Sequence, residues 1–173
     1  DITQALQKLL QKQGIKFHLG TGVESAESTE GGIRLSAARG EKKVELEAEK
    51  VLVAVGRKPN TEGLGAAEAG VELDERGCIK TDAEWQTNVP GIYAIGDVVA
   101  GPMLAHKAEQ EAVAAVERMA GQAGRVNYNA IPSVIYTSPE VAAVGLTEVE
   151  AGEKGHEVVV GAFPFQANGR AVA

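Results

Sequence analysis

Residues 87–111 read TNVPGIYAIGDVVAGPMLAHKAEQE, and the fold of the chain turns on this stretch. Ile92, Tyr93, Ala94 and Ile95 form a short apolar run suited to a buried strand. Gly96 then allows close backbone approach, Asp97 places a carboxylate at the strand's end, and the spacing predicts a helix beginning near Met103 to His106. Taken alone, a carboxylate at a strand terminus is ordinarily a solvated turn residue. The same order of strand, glycine, acid and helix also describes a ligand site of an open α/β sheet, where ligands sit beyond the carboxyl ends of strands and helix N-termini point into the same space. A carboxylate only accepts hydrogen bonds, so Asp97 suits a sugar or ribitol hydroxyl. The helix that follows directs unpaired N–H groups and its positive dipole end at that space, favouring an electron-rich ring atom.

Working outward from this stretch, the chain reads as an α/β (α+β) fold. In DITQALQKLLQKQG, Ile2, Ala5, Leu6, Leu9 and Leu10 recur at helical spacing, and Gly14 supplies the stop. IKFHL (15–19) alternates apolar and polar residues as a half-buried strand does. GGIRLSAA (31–38) and KKVELEAEK (42–50) read as two further alternating strands joined by the turn-prone RGEK, and VLVAVG (51–56) as a continuous apolar strand ending in Gly56. Residues 57–77 shift to Gly and turn residues and read as a connecting segment. Downstream of the opening stretch, the helix is expected to run to Gly121 with Ala108, Val113, Val116 and Met119 on its buried side. Beyond Val126, PSVIYTSPEVAAVG predicts two strands around a Ser-Pro turn, and Thr147 with Glu150 predicts a capping box and a short helix. EVVVGAFPF (157–165) reads as a last strand, and QANGRAVA shows no terminal element.

At 173 residues the chain suffices for one ordinary domain or two small ones, and 44% hydrophobic content indicates a globular core. A net charge of −7, with 17 Lys+Arg interleaved among 24 Asp+Glu, argues against a nucleic-acid surface. No apolar run approaches the roughly 20 residues that span a bilayer, and no basic stretch suggests a membrane surface, so a soluble protein is expected. No signal peptide is visible, although the sequence does not begin with Met. The single cysteine, Cys78, in the turn DERGCIKTD, cannot form an internal disulfide, which fits a reducing compartment.

Other motifs fall away. GLGAAEAG (63–70) begins like a phosphate-binding glycine loop, but it follows Lys-Pro-Asn-Thr-Glu rather than a strand. His18, His106 and His156 have no metal-ligand spacing with Cys78 or with a carboxylate cluster. There is no Gly-x-Ser-x-Gly elbow and no Cys-x-x-Cys pair.

Three strings, TNVPGIYAIGDVVAGPMLAHKAEQE, VLVAVGRKPNT and IPSVIYTSPEVAAVGLTE, resemble the second flavin-binding motif, the strand and turn closing the NAD domain, and the start of the interface domain in the FAD-dependent pyridine nucleotide-disulfide oxidoreductases. The resemblance covers essentially the whole chain. It implies part of a FAD/NAD(P)-binding three-layer domain pair followed by the start of an α+β dimerisation domain. Residues 1–56 would be the C-terminal part of the NAD-binding domain, 57–125 the second lobe of the FAD-binding domain, and 126–173 the N-terminal part of the interface domain. Asp97 would hold the flavin ribitol hydroxyl, and the backbone of Met103, Leu104, Ala105 and His106 would lie beside the pyrimidine edge of the flavin ring. Gly56 would let the backbone approach the nicotinamide nucleotide, and Val23 would contact the same cofactor. Without the family, Gly56 reads equally as a turn glycine and Val23 as a strand residue of the core.

Within the family, the nearest branch oxidises dihydrolipoyl groups with NAD⁺ through FAD. Its implied partners are a second copy of itself and the lipoyl-bearing dihydrolipoyl acyltransferase of 2-oxo acid dehydrogenase complexes, in the cytoplasm or, in a eukaryote, the mitochondrial matrix. A glutathione- or mercuric-reductase type, or a non-catalytic cofactor-binding or assembly module, remains open as an alternative. The family's first FAD fingerprint, redox cysteine pair, NAD fingerprint and C-terminal His-Glu base are all missing from this sequence. An internal piece of a longer enzyme, inactive by itself, is therefore expected.

Overall fold

The alternating segments in the first third of the sequence pair as a meander. In a computed structural model of the chain, which describes residues 2–172, β1 (Gly22–Thr29), β2 (Gly32–Arg39) and β3 (Lys42–Ala48) form an antiparallel sheet in the order β1-β2-β3. Both links are tight turns. The register sets Leu35 between Ala26 and Leu46 and Ala37 opposite Val44, so the small and branched apolar residues share one face and Ala37 is buried. On the other face Arg34 lies opposite Glu47, and its Nε and Nη2 reach Glu47 Oε1 at 3.0 and 2.9 Å. Of β1, ahead of the two alternating strands that the sequence predicts, only Val23 reads there as a strand residue: GVESAEST has too little apolar content to signal the whole strand, and its pairing with β2 supplies the order instead.

Before the sheet, α1 (Ile2–Lys12) follows the predicted amphipathic pattern and ends at Gly14 with φ +96°. Asp1, where the sequence opens this helix, and Ala173 lie outside the described residues. The described residues form two compact units, residues 2–58 with Thr137–Val141, and Pro59–Tyr136 with residues 142–172.

Three expected strands do not form. Residues 15–19, 51–56 and 157–164 carry no strand pairing. Leu52 is 88% and Val55 93% exposed. A strand needs a hydrogen-bonding neighbour, and none among the described residues pairs with these segments, so high β-propensity alone does not order them. The run Ile92–Ile95 is likewise not a full strand: it makes an isolated antiparallel bridge between Tyr93 and Gln86.

The second unit is built largely from turns closed by side-chain carboxylates. Asp74 Oδ1 accepts from the backbone N–H groups of Arg76 and Cys78, both at 2.8 Å, and Asp82 Oδ1 accepts from Glu84 at 2.8 Å and Gln86 at 3.0 Å. The Asp82 turn forces Trp85 into a left-handed backbone conformation, φ +63°. Its indole is thereby set into a small core with Ala114 and Ala115, against which Ile95 and Val126 pack.

Helix α2 (Ala105–Met119) carries those two alanines. Its inward face differs from the apolar pattern. Lys107, Glu111, Ala114 and Ala115 are buried, whereas Val113 and Val116 are each 62% exposed and Met119 is exposed. Further on, β4 (Ser133–Ile135) and β5 (Val141–Ala143) pair as predicted. The helix α3 (Glu148–Glu153) opens with the full capping box: Glu150 N–H donates to Thr147 Oγ1, and Thr147 N–H donates to Glu150 Oε2 at 2.8 Å. A short α4 (Gly169–Val172) lies where no terminal element is expected.

Candidate functional site

The chain leaves Ile95 extended, with φ −142° and ψ 171°, and closes a 3-10 turn over Gly96–Val98 that carries Asp97. Gly96 has φ +73°, a region that favours glycine, and a Cβ there would sit 3.2 Å from that of Ala108. The glycine therefore does two things: it turns the chain and lets the turn lie against the first turns of α2. Asp97, half-buried, is the next residue.

Two charged side chains fasten Gly96 to α2. Glu111 Oε2 accepts its N–H at 2.7 Å, and Lys107 Nζ donates to its carbonyl at 3.0 Å. Lys107 and Glu111 form an i,i+4 ion pair at 3.1 Å with side chains 0% and 1% exposed. Tyr128 Oη donates to Glu111 Oε1 at 2.8 Å, and Trp85 Nε1 donates to Tyr128 Oη at 3.0 Å. Each charge is thus paired and hydrogen-bonded, the condition under which charged groups tolerate burial. No buried side-chain nitrogen or oxygen among the described residues lacks a partner.

The start of α2 is open. Leu104 precedes it in extended conformation and offers no side-chain cap, and no acidic residue lies in the first turn. The N–H groups of this turn and the positive end of the helix dipole are left for a hydrogen-bond acceptor or an electron-rich group. Of the residues singled out in the sequence, Asp97 lies on the glycine-led turn, which meets α2 through Gly96, and Met103, Leu104, Ala105 and His106 lead into and open that helix. The His106 ring is turned elsewhere. Its Nε2 lies 2.8 Å from the Pro132 carbonyl, which can only accept, so Nε2 carries the proton and is engaged.

The two remaining residues lie in the other unit. Gly56 has φ +106° but closes no strand, since residues 51–56 are unpaired. Val23 lies on β1 opposite Ala37 and is exposed rather than part of the core. GLGAAEAG forms a single turn, with Ala69 N–H bonded to the Gly65 carbonyl, and opens no helix. Cys78 is buried and unbridged. No group of three or more potential metal ligands occurs among the described residues. None of their helices is long and apolar enough to cross a membrane.

Sequence reasoning missed Lys107, Glu111, Tyr128 and Trp85. The available signal was the i,i+4 Lys-Glu pair one turn before Ala114 and Ala115 on the same stripe. Tyr128 also offers a direct probe. Partial burial, and then its bond to the Glu111 carboxylate, hold its phenol above the ordinary value of 10.0, with the Trp85 N–H opposing. The unfolded phenol ionises near 10.0 while the folded one keeps its proton to higher pH. Its contribution to stability is therefore whole below that value and is lost as pH rises through the folded value. In an alkaline titration followed by urea unfolding, the midpoint should fall over this window, and Tyr128→Phe should flatten the fall. An identical fall in the Phe variant would show that the phenol is not coupled to folding.

Comparison with known proteins places the chain in a family. Residues 1–112 match the pyridine nucleotide-disulphide oxidoreductase family model, and residues 131–173 match the dimerisation domain of the same family. The chain is 51% identical over 174 aligned residues to the mitochondrial dihydrolipoyl dehydrogenase of Bos taurus, covering 99% of this chain and 34% of that protein. It is 51% identical, with the same coverage, to the dihydrolipoamide dehydrogenase of Chaetomium thermophilum. The chain thus spans about a third of the length of the curated relatives it matches. Among solved structures, the HOCl-induced flavoprotein disulfide reductase RclA from Escherichia coli superposes with a TM-score of 0.85 at 26% identity, covering 98% of this chain and 39% of that one. LpdA from Mycobacterium tuberculosis shares the fold, with a TM-score of 0.86 at 24% identity over 98% of this chain and 36% of that one. The chain belongs to the pyridine nucleotide-disulphide oxidoreductase family.

Proposed function

We propose that these residues form part of a flavoprotein that oxidises a protein-bound dihydrolipoyl group to lipoyl, with NAD⁺ as the final acceptor. The observation that carries this reading is the placement of an acceptor-only carboxylate, Asp97, on a turn packed against the uncapped start of α2. That donor and acceptor set fits FAD. Asp97 would accept a ribitol hydroxyl, and the N–H groups at the start of α2 would face the polar edge of the ring system. Bound FAD would supply the two-electron relay between dithiol and nicotinamide. The chain's own residues bind and orient. An aligned helix start contributes about 0.3–1 kcal/mol to a nearby negative charge, and up to ~2 when partly buried.

The 51% identity to dihydrolipoyl dehydrogenases favours the dihydrolipoyl substrate over that of another disulfide reductase. Residues 1–56 are proposed as the end of an NAD-binding domain with Gly56 and Val23 near the nucleotide, 57–125 as a lobe of the FAD domain, and 126–173 as the beginning of a segment that pairs with a second copy. The lipoyl-bearing acyltransferase of a 2-oxo acid dehydrogenase complex is the proposed partner, in the cytoplasm or the mitochondrial matrix. Cys78 is the only cysteine and is buried without a bridge, so the redox disulfide step is assigned to residues beyond these.

Asp97→Ala in the full-length protein tests the reading. Losing a charged acceptor from a buried hydroxyl costs about 1.5–3 kcal/mol, a weakening of FAD binding of roughly tenfold or more. Visible absorbance of the purified variant against a flavin titration measures it, and unchanged affinity would remove Asp97 from the cofactor site.

A further inference from the structure

The Lys107–Glu111 pair does something that no surface ion pair does: it holds both polar atoms of one peptide residue, Gly96, between opposite charges. The N–H of Gly96 meets the carboxylate and its carbonyl meets the ammonium, so the residue is fixed in translation and in rotation. Asp97 is the next residue, and the direction of its side chain follows from the orientation of Gly96. Behind the clamp, Tyr128 holds the second oxygen of Glu111 and Trp85 holds Tyr128. Glu111 is thereby bonded on both oxygens. Stability alone does not call for such an arrangement, since an apolar pair of similar volume in a buried site is often as stable or more so.

We propose that Glu111 and Lys107 are positioning residues for the flavin site, acting through the backbone of Gly96 to aim the Asp97 carboxylate, with Tyr128 locking Glu111 in place. This rests on the reading of Asp97 as a flavin ligand given above. The clamp explains why a helix stripe otherwise made of alanines carries two charges where apolar residues would pack, and why the relay runs to Gly96 rather than ending on the helix itself.

The test is a double-mutant cycle on flavin affinity in the full-length holoprotein, using Asp97→Ala, Glu111→Ala and their combination, with apoprotein melting temperatures measured alongside. Asp97→Ala and Glu111→Ala are each expected to weaken FAD binding about tenfold or more. In the Asp97→Ala background, Glu111→Ala should add less than about twofold, because the residue it aims is already gone. Glu111→Gln keeps an acceptor for Gly96 N–H and should restore part of the affinity. If Glu111→Ala does not fold, Glu111→Gln and Lys107→Met take its place in the same cycle. Glu109→Ala, on the exposed side of α2, should leave affinity unchanged. If the losses at 97 and 111 multiply independently, Glu111 supports only the fold and the proposal fails. If Asp97→Ala itself has no effect, the flavin reading fails instead, and the two failures are distinct.

Discussion

Trp85→Ala should destabilise the second unit by about 3–5 kcal/mol, the range for removing a large aromatic side chain from a packed site. The indole is 5% exposed, meets Ala114 and Ala115 with Ile95 and Val126 around them, and donates to Tyr128. Small neighbours cannot collapse into the space, because an alanine on a helix has no rotamers with which to reach. The backbone at this position adds a second signature. With φ at +63°, any residue bearing a Cβ is strained here by about 1–2 kcal/mol. Trp85→Gly should therefore be less destabilised than Trp85→Ala, the reverse of the usual order. Urea unfolding followed by far-UV circular dichroism measures both, since the chain's single tryptophan is lost in each variant. A loss below about 1 kcal/mol for the alanine variant would show that the indole is not the centre of this core.

Lys107→Met should cost about 3–5 kcal/mol, because it leaves the Glu111 carboxylate buried without its counter-charge. The ammonium donor to the Gly96 carbonyl is lost at the same time. In many proteins the remedy is to replace both charges with apolar residues, which often restores or exceeds the original stability. Here it should not. Lys107→Met with Glu111→Leu would still strand the buried Gly96 N–H, at roughly 1–3 kcal/mol, although the Gly96 carbonyl keeps the Val99 N–H at 3.3 Å and the half-exposed Tyr128 hydroxyl keeps Trp85 Nε1. The double variant should thus recover only part of the loss, its midpoint staying below that of the unaltered protein in a denaturant titration. Recovery to the original midpoint would mean that Gly96 finds other partners and that the clamp is dispensable.

Much of the local structure was legible because its determinants lie within a few residues of one another. The stripe Leu6, Leu9, Leu10 with Gly14 as stop specifies α1, the Arg39–Lys42 turn specifies the β2-β3 hairpin, and Thr147 with Glu150 specifies the start of α3. Segments whose order depends on distant partners were not legible. VLVAVG has the composition of a buried strand, but composition does not supply the neighbouring strand, and it carries no pairing without one. The inward face of α2 was misread for a different reason. The rule that apolar residues face inward points to Val113, Val116 and Met119, whereas the helix buries Lys107 and Glu111 because a backbone residue eleven and fifteen positions away satisfies them. At the site itself, Asp97 and the start of α2 were visible because strand, glycine, acid and helix stand in sequence order. The relay through Tyr128 and Trp85 was not, since it joins residues 43 apart.

The exposed ribbon at 52–55 has a consequence for how the molecule behaves in a crowd. Uncharged, β-branched and free of proline, it has the makings of a template on which other copies would stack edge to edge into cross-β layers. Lys50 and Arg57 bracket it, so in-register stacking would set like charges about 4.8 Å apart, rung upon rung. In such a stack these two cations would act as gatekeepers, and their protection would fade as added salt screens them.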